Sequence, residues 1–550
     1  MEASGPRNLV ELYRGYAERN SGKPAVSCVL PNGMSATLSY DELEDAADAV
    51  AAFLREELKL PPRSVIAVQA PNCLAFPAIS KGVVKAGMVP TGINPLYTVR
   101  EVADQIEMSG AKVLFVLDAL AGELEAVVAR TGPIEVVTLS VGDLFPALKA
   151  RLIDFMLRRV KKMVPATRVP HRRFRDVLKT GRRHARRVGR GIDAYSAGIG
   201  PDDLVGLSFT GGTTGRSKGV MQMHGAMVSS IDQLVEHLGG PWRAGNEMRT
   251  LLVLPFYHVF GMGMMLQAAA QGGHIILIPN PRPLTNLKPA FEKFRPTFLP
   301  GVPTLFANLM NEEWFLPFAR DLKLCLSGAA PLAPATQRRW RELTGVPIHE
   351  LYGMTECGLA TCTPLDGGDY TGTIGKPLPS IDIRVVDEDG NDVPDGEPGE
   401  LLLKGPQLMK GYLDMPEETE KALAGGWLHT GDIVVKEPGG VLRIVDRAKD
   451  MVIVSGFNVY PSEVEAVITS HPKVVECAAI GIPCPEAGER VKAFVVAGDA
   501  GLTEEELRAH CREQLTAYKV PKQFELVADL PKSPVGKILR RELREKVESV

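Results

Sequence analysis

Between Ser39 and Gly301 short apolar runs (VIAVQA, KVLFVLD, IEVVTL, TLLVLP, HIILIP) alternate with longer stretches of helical period, such as Tyr40 to Glu57 and Val99 to Ser109. Strands covered on both faces read as continuous apolar runs, and parallel strands need a long crossover between them. The alternation therefore predicts an α/β fold on mostly parallel sheets. Beyond about Gly372 the texture changes: DIRVVDEDGNDVPDGEPGELLLKG reads as strand, turn, strand, the mark of a compact β subdomain. After Asp446 a smaller unit follows, with strand-like MVIVSG, a helix in PSEVEAVITS, strands in VVECAAIGI and VKAFVVAG, and a helix in TEEELRAHCREQL. The predicted organisation is a large N-terminal domain over 1–446, with mostly parallel sheets, helices and the β subdomain, and a small α+β C-terminal domain over 447–550. A hinge is placed near Arg447 to Asp450.

With 550 residues, 45% apolar and 23% charged, the chain is too long for a single core and can bury a large site. Its eight cysteines are scattered without a CxxC pair, which argues against a zinc site or a disulfide framework and fits a reducing cytosol. The N-terminus lacks a signal pattern, and the longest apolar stretch, Leu251 to Ile278, is interrupted by Pro255 and His258, so no membrane span is expected. The net charge of −3 hides an imbalance: Arg151 to Arg190 holds fifteen Lys and Arg against two Asp, leaving −16 on the rest.

The segment LSFTGGTTGRSKGV follows a predicted strand and gathers Thr210, Gly211, Gly212, Thr213, Thr214, Gly215 and Lys218 into one turn. Backbone amides and hydroxyls so concentrated can surround phosphate oxygens, with lysine supplying charge. Lys218 is followed by glycine, so this is not the G-x4-G-K-[ST] loop that serves γ-phosphate transfer. A flexible surface turn is the alternative for the loop taken alone.

The loop is followed in order by LPFYHVFG, LSGAAPL, ELYGMTE, GWLHTGD, DRAKDMVIVSGFNVYPSEVE and SPVGKILRREL. This series resembles the adenylate-forming superfamily of acyl-CoA synthetases, luciferases and peptide-synthetase adenylation domains, over nearly the whole chain. The resemblance implies ATP, Mg²⁺ and coenzyme A as cofactors, and a C-terminal domain that is mobile. It implies that Tyr352 stacks on the adenine, that Gly353 is a further nucleotide-binding residue, that Thr355 meets the α-phosphate and carboxylate, and that Glu356 ligates Mg²⁺, since a carboxylate faces a triphosphate only across a metal. Gly328 and Ala329 would form the other wall of the adenine site. Asp432 is the implied ribose partner, Arg447 binds the ribose or phosphate side, and Lys449 marks the rotation point. Lys537 would reach the substrate carboxylate and the α-phosphate and offset their repulsion. Gly456, in SGFN, would line the thiol channel, where a side chain would block pantetheine.

His258 matches the position placed against the carboxylate end of the acyl pocket. Met262, Met264 and Met265 suit an adaptable lipid pocket or core packing equally. ALKARLIDFMLRRVKKMV sets Leu148, Leu152, Met156, Val160 and Val164 at fourfold spacing, with Lys149, Arg151, Arg158, Arg159, Lys161 and Lys162 on other faces. Such a basic amphipathic insert, within 147–190, can lie on anionic membrane or dock on the core with solvated charges. The insert, RRVKKMVP included, and LIPNPRPL resemble bacterial long-chain fatty acyl-CoA synthetases. The expected function is thus an AMP-forming fatty acid:CoA ligase for medium to long chains. The alternatives are an aryl-acid ligase of the coumarate type and a non-catalytic lipid-binding protein. The expected partners are fatty acid, ATP and CoA, with peripheral membrane contact through the insert, no nucleic acid, and a homodimer allowed. The expected location is cytoplasmic, on the inner face of the membrane where the insert touches it.

Overall fold

The structure, a computed structural model, describes residues 7–210, 217–243, 247–454, 457–484, 487–499, 501–533 and 538–548. Among the described residues the strands form four sheets. One eight-stranded sheet is parallel through Glu135–Leu139, Val113–Leu117, Val65–Gln69, Val89–Gly92 and Leu204–Thr210. A nine-stranded sheet is parallel from Pro24–Val29 through His274–Leu277, Arg249–Leu252, Phe298–Gly301 and Leu324–Ser327 to Ile348–Met354. The five apolar runs picked from the sequence all lie in these parallel stretches.

Helix starts follow from local chemistry. Ser39 and Thr98 each accept from the backbone three residues on, and Glu42 and Glu101 reach back to the cap, so both helices open on a reciprocal pair of bonds. The helix Tyr40–Ala52 packs against Ala75–Lys85 and Phe174–Val188. Glycine permits both approaches. A Cβ on Gly82 would lie 2.6 Å from the Val50 side chain, and one on Gly181 would lie 1.9 Å from the Ala49 carbonyl oxygen.

That contact divides the basic segment in two. Its second half, Phe174–Val188, buries Phe174, Val177 and Leu178 and is docked on the core. Its first half forms the helix Ala147–Phe155, continued by a π-helical turn over Met156–Val160, and buries only Ile153. Leu148 is 80% exposed and Phe155 57%, with Leu152, Val160 and Met163 near half. Arg158 does not stand with the free charges as the spacing suggested; it pairs with Asp118 at 2.6 Å.

The Gly/Pro/Asp-rich region forms an antiparallel sheet of Asp382–Val386, Pro398–Lys404, Leu428–Lys436 and Leu442–Arg447. The C-terminal unit has its own sheet, centred on Val474–Cys484 against Gly488–Ala497, and its own apolar cluster from Val452 to Val520. All eight cysteines are free thiols. Among the described residues no helix is long and apolar enough to cross a membrane.

Candidate active site

The glycine-rich segment connects two paired strands. Leu204–Thr210 and Lys218–Met223 are antiparallel with Thr210 opposite Lys218, and the Ser217 hydroxyl donates to the Thr210 carbonyl at 2.7 Å across the mouth. Gly211, Gly212, Thr213, Thr214 and Gly215 lie outside the described residues. Lys218 is held twice. Its Nζ sits 2.5 Å from Glu418 Oε2 and 4.7 Å from the centre of the Tyr412 ring. Tyr412 reaches this place because Gly411–Tyr412 adds to the free edge of the hairpin. Its hydroxyl donates to Glu356 Oε1 at 2.8 Å, and burial together with that carboxylate raises the phenol's pKa.

Beside this chain of contacts lies a cavity of about 380 Å³. Thr210, Lys218, His258, Gly328, Ala329, Gly353, Thr355, Glu356, Arg447 and Lys449 all line it, although they span 240 positions of sequence. Gly353 is needed for a close approach: a Cβ there would lie 2.1 Å from the Gly358 carbonyl oxygen of the paired strand. Ala329 sits at φ 69°, a left-handed conformation that turns the chain at the cavity wall. Burial and the neighbouring Arg447 lower the pKa of Lys449.

Tyr352 and Asp432 stand behind the wall. The Tyr352 hydroxyl donates to Asp432 Oδ2 at 2.6 Å, and Arg447 Nε lies 2.9 Å from Asp432 Oδ1. Both oxygens of this buried carboxylate are therefore engaged, and neither Tyr352 nor Asp432 lines the cavity. Lys537 and Gly456 lie outside the described residues.

Glu356 is the one carboxylate among the cavity's described lining residues, and no group of three or more metal-ligating side chains occurs among the described residues. That donor set suits Mg²⁺, which keeps waters and phosphate oxygens as ligands and needs only one or two carboxylates. It does not suit a metal that must be held by protein alone.

His258 caps the helix Val259–Ala270, its Nδ1 accepting from the Phe260 N–H at 3.2 Å. This fixes the ring at the helix N-terminus, whose amides favour negative charge. Val259, Phe260, Gly263 and Gln267 follow on the same helix and all line the cavity, while Ala226, Ser230, Ile231 and Leu234 of His224–Arg243 line it opposite. The cavity thus extends as a mostly apolar slot between two helices. Of the three methionines, Met264 and Met265 are core residues. Met262 instead lines a smaller cavity of about 60 Å³, which His258 also touches and which Tyr13 and Leu9 help to close. Sequence reasoning missed Gly263 and Gln267, though their spacing from Val259 was a usable helical signal. It also missed Tyr412 and Glu418, for which no local signal exists.

A family model described as AMP-binding enzyme matches residues 14–413, and one described as AMP-binding enzyme C-terminal domain matches 463–537. A long-chain-fatty-acid–CoA ligase of Escherichia coli O6:H1 is 40% identical over 98% of this chain and 94% of its own length. A 4-coumarate-CoA ligase 1 of Narcissus pseudonarcissus is 29% identical over 94% and 90%. The crystal structure of ATP-bound MatB from Rhodopseudomonas palustris superposes with a TM-score of 0.83 at 30% identity, covering 98% of this chain and 99% of that one.

Proposed function

Because this chain belongs to the AMP-binding enzyme family, we propose that it is an AMP-forming fatty acid:CoA ligase for medium- to long-chain acids, acting through an acyl-adenylate. The observation that carries the reading is a single cavity that joins the phosphate-loop lysine, the Glu356 carboxylate and an apolar slot entered past His258. The carboxylate oxygen of the acid attacks the α-phosphorus of ATP, and pyrophosphate leaves with the electron pair of the broken P–O bond. The thiolate of CoA then attacks the acyl carbon, and AMP leaves. Mg²⁺, when bound, neutralises charge on the phosphates. Thr355 and Lys218 would hold phosphate oxygens, and Asp432 would accept from the ribose once Arg447 turns away from it. We assign residues 1–446 and 447–550 to two domains, with Lys449 at the pivot, Lys537 serving the first step and Gly456 the second. The test is pyrophosphate and AMP release with ATP, Mg²⁺, CoA and either decanoate or palmitate. No AMP from either acid sinks the reading, and faster turnover of cinnamates than of alkanoates would replace it with the coumarate type.

Gly263 tests the slot. A Cβ built there meets nothing within 4 Å, so a larger side chain enters open space rather than the fold. Leucine also favours a helix interior by up to about 1 kcal/mol over glycine. Gly263→Leu is expected to keep the melting temperature and to lower kcat/KM for palmitate about tenfold or more relative to the shortest acid accepted. An unchanged chain-length profile would place the acyl chain elsewhere.

The exposed stripe of Leu148, Leu152 and Phe155, beside Arg151, Arg159, Lys161 and Lys162, fits a helix lying on an anionic bilayer. Each such cation contributes about 1 kcal/mol at the surface. Replacing the four with glutamine is expected to remove most of the protein from floated anionic liposomes while leaving turnover of a soluble acid unchanged. Arg158 is left intact because Asp118 depends on it. Equal flotation would count against the contact.

A further inference from the structure

Gln267, the last residue of its helix to line the cavity, has no exposed area, and among the described residues neither its Oε1 nor its Nε2 has a hydrogen-bond partner. A buried carboxamide unpaired at both ends is rare, because folding strips its water without replacing it. A second orphan lines the same cavity. Gln407 accepts from Gln233 at 3.4 Å, but its own Nε2 has no partner among the described residues. Gly263, one turn earlier on the same face, puts no side chain between the cavity and Gln267. From Val259 to Gln267 the helix rises about 12 Å, so the amide stands far from the carboxylate end at His258.

On the reading of the chain as a fatty acid:CoA ligase, we infer that Gln267 selects acids bearing a hydroxyl group towards the tail of the chain. A hydroxyl both donates and accepts, so one such group satisfies the carbonyl oxygen and the amide of Gln267 together. A ketone or ether oxygen satisfies only the amide. A plain alkyl tail seals the slot and leaves both atoms unpaired, and a site of that kind discriminates against the group that cannot pair.

The experiment follows pyrophosphate release by the full chain with dodecanoate, its ω-hydroxy counterpart, and a set of palmitates with the hydroxyl moved stepwise along the chain. The expected result is a kcat/KM about tenfold or more above the unsubstituted acid at one hydroxyl position, falling away on either side. Gln267→Leu, close in volume and free of the unpaired amide, should abolish that preference and raise kcat/KM for the unsubstituted acid. Equal kcat/KM at every hydroxyl position in the wild-type protein overturns the inference and leaves the ligase reading standing. A preference that survives Gln267→Leu overturns it as well. Silence with every acid overturns the ligase reading itself.

Discussion

A Lys537→Ala protein is expected to form acyl-adenylate about 10²- to 10³-fold more slowly than the wild type, yet to convert ready-made acyl-adenylate and CoA to thioester at nearly the wild-type rate. The reason is electrostatic. The attacking carboxylate and the α-phosphate repel one another, and the cavity's own cations are largely committed. Lys218 is held by Glu418 and Arg447 by Asp432, while burial and Arg447 already lower the pKa of Lys449. A further lysine, carried on the C-terminal unit, would supply the charge that grows as the pentavalent transition state forms. It would have no part in the second step, where AMP departs and a thiol attacks the acyl carbon. The check is a pair of assays, one reading pyrophosphate from ATP and palmitate, the other reading thioester from synthetic palmitoyl-AMP. Equal losses in both would mean a damaged fold, and no loss in the first would remove Lys537 from the mechanism.

The largest effect on stability is expected from Arg540→Met. Arg540 lies 2.6 Å from Glu465, 3.3 Å from Asp450 and 3.5 Å from Asp446, and its side chain is only 19% exposed. Asp446 lies on the strand Leu442–Arg447 and Glu465 on the helix Pro461–Thr469, so one guanidinium joins the two beside the Arg447–Asp450 turn. Burial pushes Asp450 upward, but Arg540 and Arg544 outweigh it and hold its carboxyl below the usual range. Glu465 differs: burial outweighs Arg540 and its pKa is raised. Taking away the cation leaves buried carboxylates uncompensated, a loss of about 3–5 kcal/mol. It should appear as an earlier melt of the C-terminal unit and faster proteolysis of it. The sign with pH follows from the depressed Asp450: its contribution is present above the unfolded carboxylate pKa and is lost as pH falls through the lower folded value. The wild-type advantage over Arg540→Met should therefore be largest near neutrality and shrink in acid. A difference below about 1 kcal/mol at neutral pH would mark the cluster as solvated surface charge.

Much of the fold was legible because it rests on short-range rules. The run KVLFVLD reads as a covered strand on its own, and Thr98 with Glu101 announces the helix that begins at Val99. The basic segment was legible only in part. Fourfold spacing located the stripe from Leu148 to Val160, but whether it faced the core or solvent depended on what packs nearby. The companion helix Phe174–Val188, equally basic, is the one that docks, through Gly181 against Ala49.

What the sequence by itself determined is the chemistry available: a glycine-rich turn with a lysine, a carboxylate that the resemblance assigns to a metal, a histidine before a methionine-rich helix, and Lys537 closing the series. Only the tertiary structure decided which of these share a wall. It set Lys218 against Glu418, two hundred positions away, tucked Asp432 behind Tyr352 and Arg447, and left the Gln267 amide without a partner among the described residues in the wall of the cavity. The physical reason is that periodicity and capping act over a few residues. The order of strands in a sheet brings together segments with no local mark of one another, and it is that order which fixes the partners of each buried polar group.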